Sequence, residues 1–227
     1  MAIKLSICIP TKNRYQTLKL ILEATILNIK DQNIEIIIQD NSEDNLDFLQ
    51  YIEQIHDHRL VYRHSSAQLT MAQNVELATV DLKGEFLVII GDDDFVHPNI
   101  IEILSAIDTE GKDCFVYDRG IYYWPDVVFQ KESKFFRPSS LQTMRHPSFK
   151  LHEYDSMTAL RAVAQAGCLN LGNLPCAYHG VLRVSISEDI RERFGKFILG
   201  PSPDMAMAIA IALTIKSYHW IDVPLTT

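Results

Sequence analysis

Gly84-Glu85-Phe86-Leu87-Val88-Ile89-Ile90-Gly91-Asp92-Asp93-Asp94-Phe95-Val96-His97-Pro98 decides both the fold class and the place of the chemistry. Phe86 to Ile90 is wholly apolar, the pattern of a strand buried on both faces. Pro98 suits a first helical turn, so a helix is expected from there to about Ile107. A buried strand followed by a helix is the repeating unit of an α/β sheet. Between the two stand three consecutive carboxylates. They repel one another, which costs stability unless a cation sits among them. Hard divalent ions, Mg2+ or Mn2+, take such oxygen ligands and commonly complete their shell with substrate phosphates. A solvated acidic turn is the plainer alternative. The position after a buried strand favours function, which concentrates on loops set by a rigid sheet.

The same unit recurs on either side. Leu5 to Ile9 reads as a short strand ended by Pro10. Leu18, Ile21, Leu22, Ile26 and Ile29 follow helical spacing. Ile34 to Gln39 is a β-branched run, hence a buried strand. Leu46, Leu49, Ile52 and Ile55 predict a helix, Leu60 to Arg63 a strand, Met71 to Val80 a helix and Cys114 to Tyr117 a strand. Strands alternating with helices predict an α/β fold with a mostly parallel sheet flanked by helices. From Arg119 the pattern changes. Gly120 to Pro125 and Val127 to Phe129 read as a hairpin. Residues 131–150 are polar, basic and irregular, and helices return at about 155–166, 186–193 and 203–215. The expected organisation is one compact domain of two lobes, 1–118 and 119–227.

In open α/β sheets, ligands bind at the carboxyl ends of the strands. Three such ends carry polar residues here. Ile9 leads into Pro10-Thr11-Lys12-Asn13-Arg14, Gln39 into Asp40-Asn41-Ser42-Glu43-Asp44, and Ile90 into Gly91 and the carboxylates. Asp40 alone reads equally well as a turn terminator. Beside the other two ends it reads as a binding residue.

Composition narrows the class. The chain has 227 residues, 47% hydrophobic, with 21 basic and 29 acidic side chains for a net −8. That is ordinary for a globular protein, and it argues against a general nucleic-acid binder, which must neutralise phosphates. The charge is divided unevenly. Residues 1–118 hold 9 basic and 20 acidic side chains, while residues 119–227 hold 12 and 9. An acidic lobe needs a cation before it can hold a diphosphate. Lys131, Lys134, Arg137, Arg145 and Lys150 stand against Glu132 alone, interleaved with Phe135, Phe136 and Phe149. That segment reads either as a solvated loop or as a peripheral contact with an anionic membrane. The start from Met1 to Leu5 lacks a signal-peptide layout. The longest apolar stretch, Met205 to Leu213, is 9 residues, where a membrane span needs about 20. The expected location is the cytoplasm, with peripheral contact at the inner face of the membrane. Cys8 and Cys114 lie in apolar runs, and Cys168 and Cys176 lack metal-ligand spacing, so buried reduced thiols are expected.

Four segments together resemble the family 2 glycosyltransferases of the GT-A fold. They are Ser6 to Arg14, Ile37 to Ser42, Gly84 to Pro98 with its DXD-like carboxylates, and Gly200-Pro201-Ser202-Pro203-Asp204 opening a helix. Two positions depart from the family pattern: Ala72-Gln73-Asn74 stands for a common Ala-Arg-Asn, and Gly91 for a common Asp. The resemblance implies a metal-dependent, inverting transfer of a sugar from a nucleotide-diphospho-sugar, most simply UDP-linked. The implied acceptor is a saccharide or lipid-linked saccharide of bacterial polysaccharide or glycolipid type. It implies that Pro10, Thr11, Arg14, Asp40, Asn74 and Asp92 contact the donor nucleotide and sugar. Asp93 and Asp94 would hold Mn2+ or Mg2+. Asp204 would be the catalytic base, although an Asp at a helix start also reads as a cap. Tyr178, His179 and Trp124 are candidates for the acceptor site; ordinary packing is the alternative for the aromatics. A non-catalytic nucleotide-sugar-binding subunit on the same fold is the rival reading. Dinucleotide and P-loop enzymes fit worse, since the first strand is followed by neither GxGxxG nor GxxxxGK[ST].

Overall fold

The computed structural model describes residues 2–108, 112–131, 133–143 and 147–227. Its first half realises the alternation in order. The strands are β1 (Leu5–Thr11), β2 (Ile34–Asp40), β3 (Leu60–His64), β4 (Phe86–Ile89) and β5 (Cys114–Tyr117), and the helices α1 (Tyr15–Asn28), α2 (Leu46–Gln54), α3 (Met71–Ala78) and α4 (Ile100–Ile107). The second half adds β6 (Ile121–Tyr123), β7 (Ser140–Gln142), β8 (Leu151–Asp155), α5 (Ser156–Gln165), β9 (Gly180–Arg183), α6 (Val184–Phe194), α7 (Pro203–Thr214) and β10 (Ser217–Ile221). Eight strands form one sheet in the order β3-β2-β1-β4-β9-β5-β10-β8. Strands β1 to β4 are parallel neighbours, while β9 runs antiparallel to both β4 and β5. The edge strand β8 is antiparallel to β10.

Side-chain alternation along the strands divides the core. Ile7 and Ile9 face one side with Leu18 and Leu22 of α1 and Ile100 and Leu104 of α4. Cys8, Leu87 and Ile89 face the other with Val75 of α3, Ile190 of α6 and Met207 and Ile211 of α7. Each fully buried aliphatic side chain stabilises the fold by roughly 1.5–3 kcal/mol. The register then fixes the working edge. Thr11 pairs with Asp40, and Cys8 with Ile89, so the loops after β1, β2 and β4 emerge side by side.

Three expectations are corrected. The predicted hairpin partner, Val127 to Phe129, is not in a strand; β6 pairs instead with β7, whose three residues sit inside the segment read as irregular. Strand β9 falls outside every expected element, because its four residues give too short a pattern and both its partners lie far along the chain. The thiols are free, but Cys168 is exposed, since it sits in the turn that follows α5. Glu132 and Arg145 of the basic segment, and Met1, lie outside the described residues. Among the described residues, no helix is long and apolar enough to cross a membrane.

Candidate functional site

The three strand ends meet through side chains. The Thr11 hydroxyl donates to Asp92 Oδ2 at 2.6 Å. Arg14 places Nη1 2.7 Å from Asp92 Oδ1 and Nη2 2.6 Å from Asp93 Oδ2, so one planar fork spans two carboxylates. The Asn13 amide donates to the Ser42 hydroxyl, which fastens the loop after β1 to the loop after β2. Burial pushes the Asp92 carboxyl above its ordinary range, and the Thr11 hydroxyl and the Arg14 cation pull it back. The hydrogen bond to Asp93 in turn holds the Arg14 guanidinium above its ordinary value.

The third carboxylate is held differently. Asp94 Oδ2 accepts the Gly91 amide at 2.8 Å and lies 3.2 Å from His179 Nε2. His179 Nδ1 is 2.8 Å from the Thr226 hydroxyl, which donates to the Tyr117 hydroxyl. His179 is 7% exposed and has φ 52°, a left-handed backbone that few residues other than glycine adopt. It therefore faces the carboxylate loop from behind. Tyr178 packs against the apolar layer shared with Met207 and Ile211 of α7, and its hydroxyl lies beside Gly91. Burial raises its phenol to about 12, and the charges of Asp94, Asp204 and Asp93 add to the shift. Asp204 itself is exposed in the first turn of α7, after a Ser202 N-cap that makes no side-chain capping bond.

A cleft of about 290 Å³ opens beside the loop, lined by Asp93, Asp94, Arg119, Tyr122, Trp124 and Thr227. The Trp124 indole donates to the Asp93 carbonyl at 3.2 Å and stacks on Phe95 with centroids 5.8 Å apart. Packing and cleft lining thus coexist in Trp124. A larger hollow of about 630 Å³ lies away from this edge, beside Lys4, Lys83 and Glu85, and gathers none of these groups.

Two of the expected donor contacts, Asp40 and Asn74, have protein partners. Asp40 is fully buried, and its carboxylate accepts from the Tyr15 and Tyr62 hydroxyls at 2.7 Å each and from the Ser42 amide at 2.8 Å. Three protein donors hold it, and through Tyr15 and Tyr62 it fastens β2 to α1 and β3. Burial and the Asp40 charge raise both phenols, keeping them neutral donors. Asn74 is 6% exposed; its Nδ2 donates to the Thr11 and Gln39 carbonyls and ties β1 to β2. Pro10 is half-buried beside Gln39 in the ladder. Tyr15, Tyr62, Arg119 and Thr226 were missed. Tyr15 gave a signal, since it directly follows the motif that ends at Arg14. Thr226 gave none, because only the fold returns the segment after β10 to the carboxylate loop, where Val96 and Thr226 form an isolated bridge.

The carboxylate loop is compatible with a divalent ion. Among the described residues, no three His, Cys, Asp or Glu side chains form a metal cluster of their own. Mg2+ and Mn2+ bound with a diphosphate need only one or two carboxylates, with water and phosphate oxygens completing the shell. Gly91 supplies the room. A Cβ there would meet Asp94 Oδ2 at 2.7 Å, Asp93 Oδ1 at 2.9 Å and the Tyr178 hydroxyl at 3.3 Å. Three oxygens thus converge on one point that any side chain would fill.

Comparisons with known proteins bear on the family and the fold. The sequence profile of the family described as Glycosyl transferase family 2 matches residues 6–166. No curated protein matches the chain. Among solved structures, S. aureus TarS 1-349 in complex with UDP-GlcNAc aligns with a TM-score of 0.63 at 15% identity, over 97% of this chain and 58% of that one. The mannosyltransferase PcManGT from Pyrobaculum calidifontis, in complex with GDP-Man and Mn2+, aligns with a TM-score of 0.55 at 13% identity, over 97% of this chain and 55% of that one. The chain therefore spans little more than half the length of either neighbour. At such identities the likeness is one of fold: a large, mostly parallel sheet flanked by helices.

Proposed function

The chain belongs to glycosyl transferase family 2, and from that premise we propose that it moves a sugar from a nucleoside-diphospho-sugar to a saccharide or lipid-linked saccharide, with inversion at the anomeric carbon. One observation carries the reading. Thr11, Arg14, Asp92 and Asp93 meet at one sheet edge, with Asp94 held in the same loop by the Gly91 amide and beside His179. The ligands of the two structural neighbours, UDP-GlcNAc and GDP-Man, support the donor class. UDP-sugar is the first choice of donor.

Residue roles follow from position. Residues 1–118 form the donor lobe, where Pro10, Thr11 and Asp92 face the nucleoside and the donor sugar. Asp40 and Asn74 fasten β2 to its neighbours. Asp93 and Asp94 would hold Mn2+ or Mg2+, and His179 fixes the direction of Asp94. A bound divalent ion would neutralise charge on the departing nucleoside diphosphate. Residues 119–227 form the acceptor lobe, with Trp124 and Tyr178 beside the acceptor. The acceptor hydroxyl oxygen attacks the anomeric carbon, and Asp204 takes its proton. The carbon–oxygen bond to phosphate breaks on the opposite face, and its electron pair leaves with the nucleoside diphosphate. A base placed to act in the transition state raises the rate rather than ground-state binding.

A thermal-shift panel tests the donor class. UDP with Mn2+ is expected to raise the melting temperature, with about 2.7 kcal/mol of added stability at a ligand concentration 100 times Kd. No shift with UDP and Mn2+, beside a clear shift with another nucleotide, would sink the uridine assignment. The basic segment makes a separate claim. Phe135, Phe136 and Phe149 are exposed there beside Lys131, Lys134, Arg137 and Lys150, the arrangement of a peripheral membrane contact. Co-sedimentation with phosphatidylglycerol vesicles, and none with phosphatidylcholine vesicles, is the expected result. Sedimentation with neither kind of vesicle would make this segment a solvated loop.

A further inference from the structure

Arg14 does two things that a donor-binding residue need not do in the absence of donor. It satisfies Asp92 and Asp93 together, at 2.7 and 2.6 Å, and among the described residues it is the Lys or Arg side chain paired with the carboxylate loop. Its backbone is fixed, because its carbonyl accepts the Leu18 amide and the Thr17 hydroxyl at the start of α1. Its side chain is not enclosed: it is 49% exposed, against 6% for that of Asp92 and 35% for that of Asp93. A fixed anchor with an open, long side chain is the geometry of a group that can change partners. The charge it supplies is the charge the loop needs. A guanidinium fork matches two carboxylate oxygens and matches two phosphate oxygens equally well.

We propose that Arg14 is an exchangeable counter-cation: it braces Asp92 and Asp93 while the donor site is empty, and it passes its fork to the donor diphosphate when Asp93 is needed for a divalent ion. This rests on the donor and metal reading above. Its consequence is coupling. Without nucleotide, the ion must displace Arg14 from Asp93, and the displaced cation has no new partner. With a nucleoside diphosphate present, Arg14 has an anion to move to, and the ion gains phosphate oxygens. Metal and donor then bind together tightly and separately only weakly. By linkage, each raises the affinity of the other by the same factor.

Isothermal titration of Mn2+ into the protein, with and without saturating UDP, measures this directly and needs no turnover. For the wild type, UDP is expected to tighten Mn2+ binding by about tenfold or more. Arg14→Gln keeps a shorter, polar side chain and removes the charge and the fork. It is expected to tighten Mn2+ binding in the absence of UDP by about tenfold, and to weaken UDP binding in the presence of Mn2+, so that the coupling collapses. Arg14→Lys keeps a charge but loses the fork, and should fall between the two. If Arg14→Gln leaves nucleotide-free Mn2+ affinity unchanged or lowers it, Arg14 is a static brace and the proposal is wrong. If the wild type binds no Mn2+ with either UDP or GDP, the metal reading itself falls and takes this proposal with it.

Discussion

Asp204→Asn is expected to lower sugar transfer by roughly 10²–10⁴-fold, the usual contribution of a positioned general base, while leaving UDP binding in Mn2+ unchanged. The competing account of Asp204 is helix capping. The structure assigns the N-cap of α7 to Ser202, places Pro203 at the first turn and leaves Asp204 exposed one residue further on. What remains of the structural role is the attraction of a first-turn carboxylate to the helix dipole, worth about 0.3–1 kcal/mol. Asn keeps the size and loses the charge, so the melting temperature should fall only slightly. The two accounts therefore separate. A catalytic Asp204 loses turnover and keeps stability and donor affinity; a dipole-stabilising Asp204 loses a little stability and keeps turnover. Unchanged turnover removes Asp204 from the mechanism. Failure of the wild type to transfer from any nucleotide-sugar, with nucleotide binding intact, favours a non-catalytic binding subunit.

The legible part of this chain is local, and the illegible part is long-range. β1, β2 and β4 announce themselves because strands buried on both faces are dominated by apolar residues: Phe86 to Ile90 is wholly apolar, and Ile34 to Ile38 is interrupted only by Glu35, which accepts the Ser6 hydroxyl. The carboxylates after β4 stand out for the same reason: only a loop can follow so apolar a strand with three charges. Helix α7 is legible in extent, since Met205 to Leu213 is uniformly apolar, yet its partner faces are not. β9 is the opposite case. Gly180 to Arg183 is too short for periodicity, and its pairing to Phe86 to Val88 closes a span of almost a hundred residues. Partner choice within the site was equally hidden. That Asp40 is served by Tyr15 and Tyr62, or that Arg14 spans Asp92 and Asp93, follows from side-chain directions that spacing does not encode.

Gly180→Ala is expected to destabilise the fold by about 3 kcal/mol, at the upper end of the range for overpacking, because the added Cβ has no way out. Built on this backbone it would lie within contact of the Cys176 carbonyl oxygen, 3.0 Å from the Cys176 carbonyl carbon and 3.1 Å from its sulfur. Two of these are main-chain atoms, so no rotamer relieves the overlap. The backbone cannot step back either. Gly180 heads β9, which is hydrogen-bonded to β4 on one side and to β5 on the other. The preceding turn is pinned as well, with the Ile89 amide donating to the Ala177 carbonyl at 2.7 Å and the His179 amide donating to the Ile89 carbonyl at 3.0 Å. Any shift that admits the methyl group also moves Tyr178 and His179, and with them the support behind Asp94. Gly167→Ala is the control. Gly167 has φ +73°, and a Cβ there meets nothing within 4 Å, so only the left-handed backbone is penalised, at roughly 1–2 kcal/mol. Urea unfolding of the two variants should therefore give a clearly lower midpoint for Gly180→Ala with the slope unchanged in both. Nucleotide binding should weaken only in Gly180→Ala. Equal midpoints would mean that the Cys176 turn yields freely, and that β9 does not hold the carboxylate loop in place.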